Sequence, residues 1–156
     1  MTSYLKPAFS LAEVILAIAI FALIATAIVT LALGSMQASQ KVYEQNQAVN
    51  LARQGIELVN YLAAANWPVY SGQKTSLSWQ GNAWSLAGEG TTEQLGSFVR
   101  TIEFFDVCRD PDTLELLSCP QAPVDSRLRK VVVHIKWTGF NGRQLGYDLS
   151  SYLHQQ

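Results

Sequence analysis

The sequence predicts an α+β chain: one long N-terminal helix packed on a C-terminal antiparallel β-sheet of about four strands. Three observations carry that expectation. An apolar run fills Val14 to Leu33, and no proline occurs between Val14 and Pro68. Past Gly34 apolar residues recur at helical spacing. Past Pro68 the texture changes to short runs punctuated by glycine, serine, threonine and asparagine, with strand-like alternation.

The first element is the most informative. Between Val14 and Leu33 only Thr26 and Thr30 are polar, and a helix of about 20 apolar residues spans the hydrocarbon core of a bilayer. A cleaved secretory signal is the competing reading, with Ala32 and Gly34 as small residues near its end, but its apolar core runs to only about 7–15 residues. Lys6 precedes the run and the next basic residue is Lys41, so the positive-inside rule keeps the N-terminus in the cytoplasm and sends the remainder across. Charged residues make up 15% of the chain, well below the about 25% of soluble domains. The eleven basic and twelve acidic residues leave a net charge of -1, which argues against nucleic acid as a partner.

The helix is expected to continue beyond the membrane. Val42, Val49, Ala52, Ile56, Val59 and Ala63 form an apolar stripe, while Gln40, Lys41, Glu44, Gln47, Asn50, Arg53 and Asn60 fill other positions. Pro68 ends it. The expected organisation is therefore a leader at 1–8, an apolar helix at 9–34, an amphipathic helix at 35–67 and a β-rich head at 68–156.

Within the head, Ser76 to Trp79 and Ala83 to Leu86 alternate around Gln80-Gly81-Asn82 as a hairpin does. Phe98 to Phe105 reads as a strand. Arg129 to Trp137 is the clearest strand, with Val131, Val133, Ile135 and Trp137 on one face and Lys130, Val132, His134 and Lys136 on the other. Gly139-Phe140-Asn141-Gly142 supplies a turn and Gln144 to Leu153 returns.

Glu13 breaks the apolar pattern. A carboxylate at a membrane centre costs roughly 2.5–3.5 kcal/mol and less near the interface, so it calls for a partner or for snorkelling to the headgroups. The string Lys6-Pro7-Ala8-Phe9-Ser10-Leu11-Ala12-Glu13-Val14-Ile15-Leu16-Ala17 resembles the class III signal of type IV prepilins and type II secretion pseudopilins. That signal is a short basic leader, a small residue, a phenylalanine, and a glutamate at the fifth position after the cut. The resemblance implies cleavage between Ala8 and Phe9 by a prepilin peptidase, methylation of the new Phe9 amine, and assembly through the helix and Glu13. Ala8 stands where the family usually has glycine, and the mid-helix proline of many major pilins is missing. The implied partners are the peptidase, other pilins or pseudopilins, the membrane assembly platform and the lipid bilayer. Glu13 lies one helical turn after Phe9, so an ammonium of one subunit and the carboxylate of a neighbour can neutralise each other in a dry bundle and fix axial register. The segments Leu51 to Glu57, Arg129 to Trp137 and Leu149 to Leu153 resemble minor pilins of the V kind and pseudopilins of the I kind. The rival reading is a single-pass anchored binding protein that does not polymerise.

The remaining candidates are few. Cys108 and Cys119 suit a short disulfide-closed loop in an oxidising compartment; the alternative is two ordinary thiols, one of them buried. Asp106, Asp110, Asp112 and Glu115 offer hard oxygen ligands for calcium at short spacing, against which Asp110-Pro111-Asp112 is ordinary turn chemistry without the EF-hand pattern. His134 is read as solvated beside Lys136, and His154 lies near the C-terminus. Trp67, Tyr70, Trp79 and Trp84 form either a contact surface or core packing with exposed rims. Gly81, Gly88, Gly90 and Gly96 fit no phosphate-cradling spacing. With no catalytic constellation and no cofactor motif, the expected function is structural and not enzymatic.

Overall fold

Helix α1 spans Leu11–Ala65, followed by β1 (Lys74–Thr75), β2 (Leu77–Gln80), β3 (Ala83–Leu86), β4 (Glu93–Leu95), β5 (Phe98–Arg109), β6 (Leu116–Leu117), β7 (Val124–Thr138) and β8 (Gln144–His154). These elements come from a computed structural model, which describes residues 10–65, 67, 72–117, 119–140 and 142–155. The chain divides into two compact units, Met1–Gln40 and Lys41–Gln156. The α+β arrangement predicted from sequence is present, with the second part of α1 packed on an antiparallel sheet.

In the first unit the helix is apolar all round and solvent-facing, with Leu11, Leu23 and Leu31 each more than two-thirds exposed. It is long and apolar enough to cross a membrane. Its two polar interruptions are satisfied internally. Thr26 Oγ1 donates to the carbonyls of Ala22 and Leu23 at 3.1 and 2.9 Å, and Thr30 Oγ1 to those of Thr26 and Ala27 at 3.1 and 2.9 Å. Neither hydroxyl would bring an unpaired donor into lipid if the helix spans a membrane.

In the second unit the order of the main sheet is β1-β5-β7-β8, with β4 and β6 also on β5, and β2–β3 form a separate hairpin. The expected count of about four strands fits the main path β1-β5-β7-β8, but β4 and β6 add to it, each kept in place by pairing with β5. The inner rows are set by register: Ile102, Val133 and Leu149 align, as do Phe104, Val131 and Ser151, and Phe98, Trp137 and Leu145. Ile102, Phe104, Val131, Val133 and Ile135 are fully buried. The β5–β7 register shifts between Asp106 and Cys108, and the bulge turns both Val107 and Cys108 inward.

The helix face against this sheet follows the expected stripe in part: Ala52 and Val59 are buried and Ile56 and Ala63 pack against the core, but Val42 is 54% exposed and Ala48 and Gly55 complete the buried face. The seam consists of small residues because the helix comes close: a Cβ on Gly55 would stand 3.0 Å from Val133 Cγ1. Two polar contacts fix the helix on the sheet. Trp137 Nε1 donates to Glu44 Oε2 at 3.2 Å, and Arg100 donates to the Leu51 carbonyl at 3.1 Å. Arg100 is itself buried and is neutralised by two bonds to Glu93 Oε2, at 2.9 and 2.7 Å.

Helix α1 ends at Ala65, just short of the expected stop; Pro68 lies outside the described residues. The hairpin forms as predicted, with Gln80 opposite Ala83. Its two turn residues, Gly81 and Asn82, have φ of 56° and 76°, as a two-residue turn matched to strand twist requires.

Candidate functional site

The candidate site is the start of α1. Ser10 Oγ accepts from the Glu13 N–H at 3.3 Å, and Glu13 Oε2 accepts from the Ser10 N–H at 3.0 Å. This reciprocal pair is a capping box, which satisfies two otherwise orphaned donors and puts a carboxylate at the positive end of the helix dipole. Glu13 is the only charged residue between Lys6 and Lys41. It opens a shallow apolar groove continued by Val14, Ala17, Ile18 and Phe21. Ala8 and Phe9 lie outside the described residues, so the geometry defined here is that of Ser10 and Glu13. Ser10 is the residue that attention to Glu13 alone overlooks. The Ser-x-x-Glu spacing ahead of an apolar run is the signal that finds it.

Cys108 and Cys119 are joined in a disulfide, with their Cα atoms 5.3 Å apart; the alternative of two free thiols does not hold. The loop between them is organised by Asp110. Its Oδ1 accepts from the N–H groups of Asp112 and Thr113 at 2.8 and 3.1 Å, and its carbonyl accepts from the Leu114 N–H at 2.9 Å. Donation by the Thr113 amide, then by that of Asp112, holds the Asp110 carboxyl below its usual range.

The four acidic residues put forward for calcium are employed separately. Asp106 pairs with Arg129, Asp110 serves the turn, and Asp112 and Glu115 are exposed. Among the described residues no group of three or more acidic, histidine or cysteine side chains is arranged to hold a metal ion.

His134 differs from the expected solvated histidine. Its Nδ1 lies 2.8 Å from Asp148 Oδ1 on β8 and its Nε2 lies 3.3 Å from Glu103 Oε2 on β5. The imidazole is thus bracketed by carboxylates from both neighbouring strands. Trp67 and Trp84 pack against the core, while Trp79 is 57% exposed and meets Trp84 edge-on at a centroid distance of 5.3 Å. Tyr70 lies outside the described residues, and His154 is exposed at the end of β8.

The start of α1 thus supplies a helix cap, one carboxylate and an apolar groove. No protein-family model, curated protein or solved structure matches the chain.

Proposed function

We propose that this chain is a minor pilin or pseudopilin: a structural subunit of a type IV pilus or type II secretion pseudopilus, cut between Ala8 and Phe9, methylated on Phe9 and assembled through its N-terminal helix. The observation that carries the reading is the pairing of a small residue and Phe9 with Glu13 as the sole charge at the head of a membrane-length apolar helix. An isolated carboxylate there is costly unless paired, and the amine freed by cleavage is a partner of the right sign. The disulfide in the head agrees with export to an oxidising compartment. The partners would be the prepilin peptidase, other pilins or pseudopilins and the assembly platform, with the bilayer holding the subunit beforehand, N-terminus inside and head outside.

The test is the intact mass and N-terminal sequence of the mature protein from cells that contain a prepilin peptidase. A chain that starts at N-methylated Phe9 is expected; one that still starts at Met1 overturns the reading.

The capping box favours a second reading, a single-pass anchored protein that does not polymerise, because it gives Glu13 a local role without any neighbour. Glu13→Gln separates the two. Glutamine keeps the cap but has no charge to offer an ammonium. Loss of filament incorporation with unchanged membrane insertion supports the subunit reading with the charge of Glu13 in assembly, and a parent chain that never enters filaments supports the anchor.

A further inference from the structure

Strand β8 is the outer strand of the main sheet and, among the described residues, pairs only with β7. The Gly139 N–H donates to the Arg143 carbonyl and the Gln155 N–H to the Arg127 carbonyl, both at 2.9 Å. In an antiparallel ladder, hydrogen-bonded and non-bonded pairs alternate. The two bonds therefore assign Leu145, Tyr147, Leu149, Ser151 and Leu153 as the residues whose amides and carbonyls face β7. The N–H and C=O groups of Gln144, Gly146, Asp148, Ser150 and Tyr152 face outward. Among the described residues, no backbone hydrogen bond outside the β7 ladder reaches them.

Soluble sheets guard such an edge with lysine, proline, a bulge or a covering loop. Residues 144–154 contain no lysine, arginine or proline, and the β7–β8 register runs without a shift from Leu128↔His154 to Thr138↔Gln144. On the core side Leu145, Tyr147 and Leu149 are only half-buried, and among the described residues no strand lies beyond them. On the opposite side Asp148 is the only carboxylate of the strand, and its side chain is 66% exposed.

We infer that β8 is a docking edge for an extended segment of another protein, taken up by strand addition. The outward amides and carbonyls require an extended backbone at strand spacing. Leu145, Tyr147 and Leu149 require apolar residues at alternate positions of the incoming segment. Asp148, whose Oδ1 lies 2.8 Å from His134 Nδ1 but whose side chain is otherwise largely exposed, favours lysine or arginine on the segment's other face. The inference does not depend on the chain being a filament subunit.

The test uses the full chain in detergent micelles and a synthetic peptide in which valine alternates with lysine and threonine, followed by residue-resolved amide exchange. In the chain alone the amides of Gly146, Asp148, Ser150 and Tyr152 should exchange fast and those of Leu145, Tyr147, Leu149 and Ser151 slowly. The peptide should slow the first set by at least about tenfold. A version N-methylated at alternate amides, or one with glutamate for lysine, should slow them much less. Ser150→Pro removes one outward N–H and leaves the β7 ladder intact; it should abolish the effect while the second set stays slow. The inference is overturned if the peptide gives no slowing, if the N-methylated peptide acts equally, or if Ser150→Pro responds like the parent. Concentration-dependent protection without peptide would also overturn it, since the edge would then be taken by a second copy.

Discussion

Replacing Gly55 with alanine tests how tightly the helix is seated on the sheet. Glycine inside a helix is disfavoured relative to alanine by about 1 kcal/mol, so Gly55→Ala on an open face would stabilise. Here the new Cβ meets Val133 Cγ1 at 3.0 Å, Arg100 Cδ at 3.3 Å and Val133 Cγ2 at 3.4 Å. Carbon pairs prefer about 3.5–4.0 Å. Neither neighbour yields easily. Val133 is fully buried, β-branched and in the central strand β7, and Arg100 is tied to Glu93 and to the Leu51 carbonyl. Overpacking of this kind costs about 1–3 kcal/mol, which exceeds the propensity gain and leaves a net loss of roughly 1 kcal/mol. Val133→Ala alone should cost roughly 2–3 kcal/mol through lost burial and a residual cavity. In that background both Val133 methyl contacts are gone and only Arg100 Cδ at 3.3 Å remains, so Gly55→Ala should stabilise by up to about 1 kcal/mol. The non-additivity, about 2 kcal/mol, is the quantity to measure, by urea unfolding of the four chains in micelles followed by tryptophan fluorescence. A stabilising Gly55→Ala in the parent chain, or equal effects in both backgrounds, would refute a close helix–sheet seam at this point.

Glu93→Ala strips the buried Arg100 of its countercharge and should cost about 3–5 kcal/mol, seen as a lower urea midpoint than the parent's. Serine at both Cys108 and Cys119 opens a loop with a sequence separation of 11, for an expected loss of about 2–3 kcal/mol; an unchanged unfolding midpoint would contradict it. Asp110 has its carboxyl pKa lowered by the amides of Thr113 and Asp112. Its contribution is therefore complete above the unfolded-state value and disappears as pH falls through the lower folded one. The Thr113 amide resonance should titrate only below the ordinary carboxylate range, and Asp110→Asn should remove that titration.

The sequence makes the long elements legible because each repeats its own period. Val131, Val133, Ile135 and Trp137 alternate as a strand with one buried face must, and the apolar run of α1 is unmistakable by length. Lys74-Thr75, Glu93-Gln94-Leu95 and Leu116-Leu117 are too short to show a period and exist only through their pairing with β5. The helix stripe is legible only in part for a related reason. Ala52 and Val59 belong to the apolar pattern, whereas Ala48 and Gly55 carry no large side chain to mark them and are buried because the helix comes close to β7. The surroundings of His134 are illegible for a different reason: Glu103, His134 and Asp148 come together only once the registers of three strands are set. Of the candidate site, Glu13 and the cysteine pair are visible as local anomalies, whereas the free edge of β8 is a property of sheet order that no local pattern records.

The bond between Cys108 and Cys119 is also an address label. A head that remains on the reducing side of the membrane keeps two thiols, while one that has crossed to an oxidising compartment carries the bond. Because the link closes only a short loop, it needs no partner chain, and under the proposed function its formation would register translocation before any assembly step. Alkylation of the two cysteines with and without prior reduction therefore reads, in a single gel, which side of the bilayer each molecule occupies. That reading is independent of the proposed cut between Ala8 and Phe9, so it would separate insertion from processing.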